Sequence, residues 1–207
     1  MPENNNQLLQ SANEIMFVHD RYNRWPKSKT IADTIFKTLE NAKSSIVIES
    51  PYLIPPIRFM KSLKRARKRG VNITLISNSP QVSDAKIIAA AYMNDRKKYL
   101  KHKINVFEYN GEKMLHDKLF LVDDSVAIVG SYNFDNISYR MNSEVIAKIN
   151  DAQFGKQLQQ LVDKRLKVCF EVKHSKDKNP YNQKKINRKT KWNRILLRIF
   201  FFFLRFL

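Results

Sequence analysis

The sequence predicts an α/β domain: a mixed β-sheet flanked by helices. Three observations carry this. Short apolar runs rich in Val and Ile alternate with longer stretches of helical periodicity between residues 27 and 168. Two apolar runs separated by an acidic pair suggest a hairpin inside that alternation. An apolar fraction of 43% with only 4 Gly and 7 Pro in 207 residues suits a packed core and argues against wholesale disorder.

Each element follows from the residues in order. Ile31, Ile35 and Leu39, with Ala32 and Phe36 beside them, recur at helical spacing. Residues 44–50 (SSIVIES) form a buried strand, and Pro51, Pro55 and Pro56 then forbid regular structure. Residues 57–69 make a basic helix with Gly70 placed to stop it. Residues 71–77 (VNITLIS) are a strand, 78–83 a loop, and 84–102 a long helix carrying Ile87, Ala91 and Leu100. A strand over 104–109 follows. The runs 115–122 and 125–130 flank Asp123 and Asp124 as a hairpin; a final strand covers 144–149 and a helix 152–168.

Three regions result. Residues 1–26 are a polar leader and short connection, 27–168 the α/β domain, and 169–207 a basic linker with an apolar end. No signal-peptide pattern opens the chain. The single Cys169 allows no internal disulfide and no cysteine metal site. The net charge is +19, and its position matters more than its size. Residues 164–205 hold 14 Lys or Arg against Glu171 and Asp177, a net +12. An anionic partner follows: phospholipid head groups or nucleic acid.

The chemistry is concentrated in HDKLFLVDDSVAIVGSYNFDNISYRMNSE, residues 116–144. On a strand, His116 and Lys118 share one face and Asp117 points away. A returning strand that ends at Gly130 brings Ser131 and Asn133 beside them. One imidazole, one ammonium, one hydroxyl and one amide then share a rigid platform. Preset donors such as Lys118 and Asn133 stabilise the charge that develops on phosphoryl oxygens. An imidazole can attack phosphorus or protonate a leaving oxygen. A carboxylate that fixes its tautomer would complete the set, and Glu144 is the candidate. No ligand spacing suggests a metal, and this chemistry calls for no cofactor.

His116, Lys118 and Asp123 match H-x-K-x4-D, and Gly130, Ser131 and Asn133 follow as G-S-x-N. With these gaps the chain resembles the phospholipase D superfamily. Residues 130–144, with Asn133, Asp135, Ser138, Asn142 and Glu144 in register, resemble the carboxy-terminal half of a bacterial cardiolipin synthase. So do SPYLIP (50–55) and Asn78, Ser79, Asp84 and Tyr92. Two positions depart from that pattern: Ile137 stands where the family usually has Arg, and Ala90 or Ala91 where a His is common.

The resemblance implies a phospholipase D-like half-domain and a reaction through a phosphohistidine. One half-site supplies the nucleophilic His and the other the general acid; as a second motif, His116 takes the acid role. It further implies that Lys118, Ser131 and Asn133 hold phosphate, Glu144 orients His116, and Asp123 is structural. His19, His102 and His174 have no Lys two positions on, so the second motif comes from elsewhere. A homodimer, a separate amino-terminal half, or a truncated and inactive fragment are the options.

Residues 190–207 (TKWNRILLRIFFFFLRFL) place Lys191, Arg194, Arg198 and Arg205 within about 60° of a helix at about 100° per residue. The longest apolar run, 199–204, is far short of a span of about 20 residues. A helix lying in the interface of an anionic membrane is the reading, with the enzyme peripheral on the cytoplasmic face of the inner membrane. The leading function is phosphatidyl transfer on phospholipids. A dimeric single-motif nuclease of the same superfamily, or an inactive membrane-binding fragment, are the alternatives.

Overall fold

A computed structural model describes residues 14–21, 28–80, 86–111, 113–177 and 179. The elements are β1 (Ile15–His19), α1 (Thr30–Glu40), β2 (Ser45–Glu49), α2 (Ile57–Lys68), β3 (Asn72–Asn78), α3 (Lys86–Lys101) and β4 (Asn105–Tyr109). They continue as β5 (Leu119–Val122), β6 (Val126–Gly130), α4 (Asn136–Arg140), β7 (Val145–Asn150), α5 (Ala152–Leu166) and β8 (Cys169–Glu171). The strands form one mixed sheet in the order β1-β7-β6-β5-β2-β3-β4-β8.

At its centre β2, β3 and β4 are parallel and joined through helices α2 and α3. Parallel strands are covered on both faces and carry near-continuous apolar runs. That is why SIVIE is buried at every position after its first. One face packs against α1, α2 and α3 through Ile31, Ile35, Leu39, Phe59, Leu63 and Tyr99. The other packs against α5 through Val162, Phe154 and Leu158. Phe59, Phe134 and Phe120 chain edge-to-face through the first core, with centroids 5.4 and 5.6 Å apart. Gly70 ends the α2 turn at φ +93°, where a side chain is strained. Asp151 caps α5 by accepting from the Phe154 amide at 2.8 Å.

The sheet is wider than the expected 27–168 unit at both ends. β1 lies inside the expected leader and pairs antiparallel with β7. β8 lies inside the expected linker and pairs antiparallel with β4. The linker is also docked as far as Asn179, which is buried. The expected strand over 115–122 forms only over Leu119–Val122. A short helix, α4, follows the G-S-x-N segment, capped by Asp135. The apolar end, 190–207, lies outside the described residues, as do 1–13. Among the described residues no helix is long and apolar enough to cross a membrane.

Candidate active site

The site forms at the edge of the sheet where β2, β3 and β4 end, the place where open parallel sheets bind ligands. The His116-to-Lys118 run enters β5 from that edge. Along β5, Phe120 and Val122 face the α1–α3 core, while Leu119 and Leu121 face α5. Continuing the alternation puts His116 and Lys118 on the first side and Asp117 on the second. Asp117 does reach α5, 2.7 Å from Arg165 Nη2. Lys118 Nζ lies 2.9 Å from His116 Nδ1 and 3.5 Å from Nε2, and it donates to the His116 carbonyl at 2.6 Å. His116 is exposed and Lys118 half-buried. Imidazole and amine therefore converge at an open mouth, although neither belongs to a paired strand.

The G-S-x-N side is built by close backbone packing. A Cβ on Gly130 would stand 2.2 Å from the Val145 carbonyl and 2.7 Å from Ile146 Cα, so only glycine fits. The Ser131 amide donates to Val145 O at 2.9 Å, and Ser131 Oγ accepts from the Val145 amide at 3.0 Å. Ser131 Oγ also donates to the Glu144 carboxylate. The other Glu144 oxygen accepts from Ser138 Oγ at 2.7 Å, and Ser138 Oγ in turn accepts from the Asn133 amide at 3.1 Å.

Glu144 was expected to orient His116, and among the described residues no hydrogen bond joins the two. Its carboxylate is occupied by two serine hydroxyls, one on each oxygen, and braces the Ser131–Ser138 loop. Among the described residues, His116 has only Lys118 as a side-chain hydrogen-bond partner. The Asn133 side-chain Oδ1 is buried and accepts no hydrogen bond among the described residues. Burial draws the Lys118 pKa below the usual lysine range, against the opposing pull of Asp117, Glu144 and Asp135. The β5–β6 register, with Leu119 opposite Val129, brings the Gly130–Ser131 end of the hairpin level with Lys118. A half-buried ammonium with a lowered pKa gains most from an anion entering beside it.

Asp123 is not at the site. It stands in the β5–β6 turn, at the opposite end of β5 from His116, with φ +53° beside Asp124 at +50°. Tight hairpin turns favour this conformation, which Asp tolerates. Its carboxylate accepts from the amides of Lys43 (2.9 Å), Ser44 (2.7 Å) and Ser45 (3.0 Å), closing the start of β2 onto the hairpin. Partial burial raises its pKa, but those donors outweigh burial and hold it below the usual aspartate value. Its stabilising contribution is therefore present above the unfolded pKa of about 3.9 and is lost as pH falls through the lower, folded value. D123N is expected to lose roughly 1–2 kcal/mol at neutral pH by urea unfolding, to lose less in acid, and to leave phosphodiester chemistry unchanged.

Sequence reasoning missed a carboxylate directly behind the mouth. Glu49, at the end of β2, is 1% exposed and pairs with Arg165 of α5, which also holds Asp117. Burial pushes its pKa up to about 7 even against Arg165. The signal was a lone acid closing a buried apolar run. Between about 4.5 and 7 the folded chain keeps a proton that the unfolded chain has lost. Stability therefore falls as pH rises through that window, by at most about 3 kcal/mol. E49Q is expected to flatten this slope, measured as wild-type minus variant unfolding free energy at pH 5 and pH 7.5. Ser50 was read only as the last residue of SSIVIES and the first of SPYLIP. Its hydroxyl accepts from the Phe134 amide at 3.0 Å and donates to Tyr52 O at 2.8 Å, tying the G-S-x-N segment to the end of β2.

Comparison with known proteins matches residues 35–166 to the family described as "Cardiolipin synthase, PLD-like domain". The chain belongs to this family. Among relatives of this PLD-like domain, cardiolipin synthase from Staphylococcus aureus is 36% identical over 137 residues, 66% of this chain and 27% of the relative. Cardiolipin synthase A from Buchnera aphidicola is 27% identical over 172 residues, 83% of this chain and 33% of the relative. The PLD-like domain thus spans a third or less of the relatives it matches. Among solved structures, the phospholipase D family member Nuc from Salmonella typhimurium aligns with a TM-score of 0.65 at 19% identity, covering 78% of this chain and 99% of that one. Phosphatidylserine synthase from Haemophilus influenzae aligns at 0.69 and 16%, covering 90% and 44%. Both share the fold.

Proposed function

We propose that this PLD-like domain is one half-site of a phosphatidyl-transfer enzyme acting on anionic phospholipids. The observation that carries the reading is the contact between Lys118 Nζ and the exposed His116 ring, 2.9 Å apart, at the end of β5 whose register faces the Gly130 end of β6. In the proposed reaction a companion imidazole attacks phosphorus, forming a P–N bond as the P–O bond to the leaving alcohol breaks. His116 gives its proton to that leaving oxygen. An acceptor alcohol then attacks the phosphohistidine, passes its proton to His116, and releases the companion imidazole. Lys118 and the Asn133 side-chain amide hold the non-bridging oxygens, and Ser131, assigned to the same phosphate site, turns its hydroxyl from Glu144 to the phosphate when the ligand enters. His116 is oriented by Lys118 and its own backbone, not by Glu144.

The companion is a second copy of the chain or a separate half carrying its own H-x-K motif. The basic and apolar residues of 169–207 attach the enzyme peripherally to the cytoplasmic face of the inner membrane. The test is to incubate the purified chain with phosphatidylglycerol vesicles and, separately, with plasmid DNA, each with an H116A control. Cardiolipin or phosphatidic acid, formed in proportion to more than the first power of protein concentration, supports a self-paired phosphatidyltransferase. Nicked plasmid supports a nuclease instead. No product in either, at high protein and with an H-x-K-bearing half added, contradicts the catalytic reading.

A further inference from the structure

The residues before His116 have no strand to hold them. Residues 114–118 are unpaired, yet Leu115 is 4% exposed, so its backbone groups need partners inside the protein. One side chain supplies both. Asn78 Oδ1 accepts from the Leu115 amide at 2.8 Å, and Asn78 Nδ2 donates to the Leu115 carbonyl at 2.8 Å. Asn78 is itself 3% exposed, closes β3, and is paired there with Tyr109 of β4. Its planar amide thus stands in for the backbone of a missing strand and extends the rigidity of the parallel ladder to the residue preceding His116.

From this geometry we infer that Asn78 is a positioning residue for His116, acting through the Leu115 backbone. The inference rests on the proposed role of His116. The His116–Lys118 run is strung between two fixed points, the Asn78–Leu115 clamp on one side and β5 on the other. Asp117 is tied down separately by Arg165. Without the clamp the imidazole is anchored from one end only. No other side chain of this size offers one acceptor and one donor on a rigid plane: an ionised Asp accepts only, and Ser has a single hydroxyl.

The test compares N78A, N78D and H116A with the wild-type chain in turnover of bis(p-nitrophenyl) phosphate and in amide hydrogen exchange. N78A is expected to lower kcat by roughly 10- to 100-fold with KM changed less than about 2-fold. Leu115 exchange should accelerate while Phe120 and Leu121 stay protected. N78D should be as impaired as N78A at high pH. Its activity relative to wild type should recover as pH falls, because a protonated Asp again both donates to and accepts from Leu115. Unchanged Leu115 exchange in N78A overturns the inference whether or not the chain turns over by itself. So does wild-type kcat in N78A, or protection lost throughout β3, β4 and β5. Activity that survives H116A defeats the reading of the site instead. With H116A inactive and N78A unaffected, only the role of Asn78 fails.

Discussion

H116A is expected to abolish phosphodiester transfer, with kcat down roughly a thousandfold or more and the fold intact. The fold should tolerate the change because His116 is exposed and, among the described residues, its ring is hydrogen-bonded only to Lys118. Losing the imidazole removes the proton donor in one role and the attacking nitrogen in the other, so the loss is large in either. K118M should also impair turnover, chiefly through kcat, because the amine serves charge that grows at the transition state. Near-native melting of H116A beside lost activity would separate chemistry from folding. A variant within tenfold of wild type would remove His116 from the mechanism.

The largest effect on stability is expected at Arg96, far from the reacting atoms. Its guanidinium is buried and bonds Glu108 Oε1 at 2.9 Å. It also donates to the carbonyls of Ser175 (2.6 Å) and Asp177 (2.8 Å). Glu108 is fully buried and further accepts from Tyr92 Oη and Asn179 Nδ2, both at 3.1 Å. R96M leaves the Glu108 charge without its counterion in the core. Breaking such a pair costs about 3–5 kcal/mol, or about 10 °C in Tm for a chain of this size. R96M/E108Q should recover part of the loss, since no charge is then stranded. R96M should also speed tryptic cleavage at Lys176 by releasing the carbonyls on either side of it. A loss under about 1 kcal/mol would mean that water reaches Glu108.

The central strands and three large helices were legible because their signals are strong and local. SIVIE and NITLISN are apolar on both faces, and Ile31, Ile35 and Leu39 mark one side of a helix that Glu40 ends. β1 was not legible: only Val18 of IMFVH is buried, since the strand lies at the sheet edge and depends on β7 for its pairing. β8 is three residues long, and its pairing with β4 joins positions 60 to 64 apart in the chain, which no local pattern records.

Within the site, the fixed gaps of H-x-K and G-S-x-N singled out residues that the structure gathers at one end of the β5–β6 hairpin. The strand expected beneath His116 does not form, because β6 turns away into the Ser131–Ser138 loop and leaves 114–118 to a side-chain clamp. For the same reason the serine partners of Glu144 were not legible. Ser138 stood out in sequence only for its register with the family pattern, and the cap at Asp135 sets the turn in which its hydroxyl meets the carboxylate.

Titrating the chain with inorganic phosphate while following His116, Lys118 and Asn133 side-chain resonances by NMR tests the central claim most directly. The account predicts that all three shift together with a single Kd, and that K118M weakens the shift at His116. Phosphate that perturbs only the exposed lysines of α2 and α3, and leaves His116 and Asn133 unmoved, would contradict it.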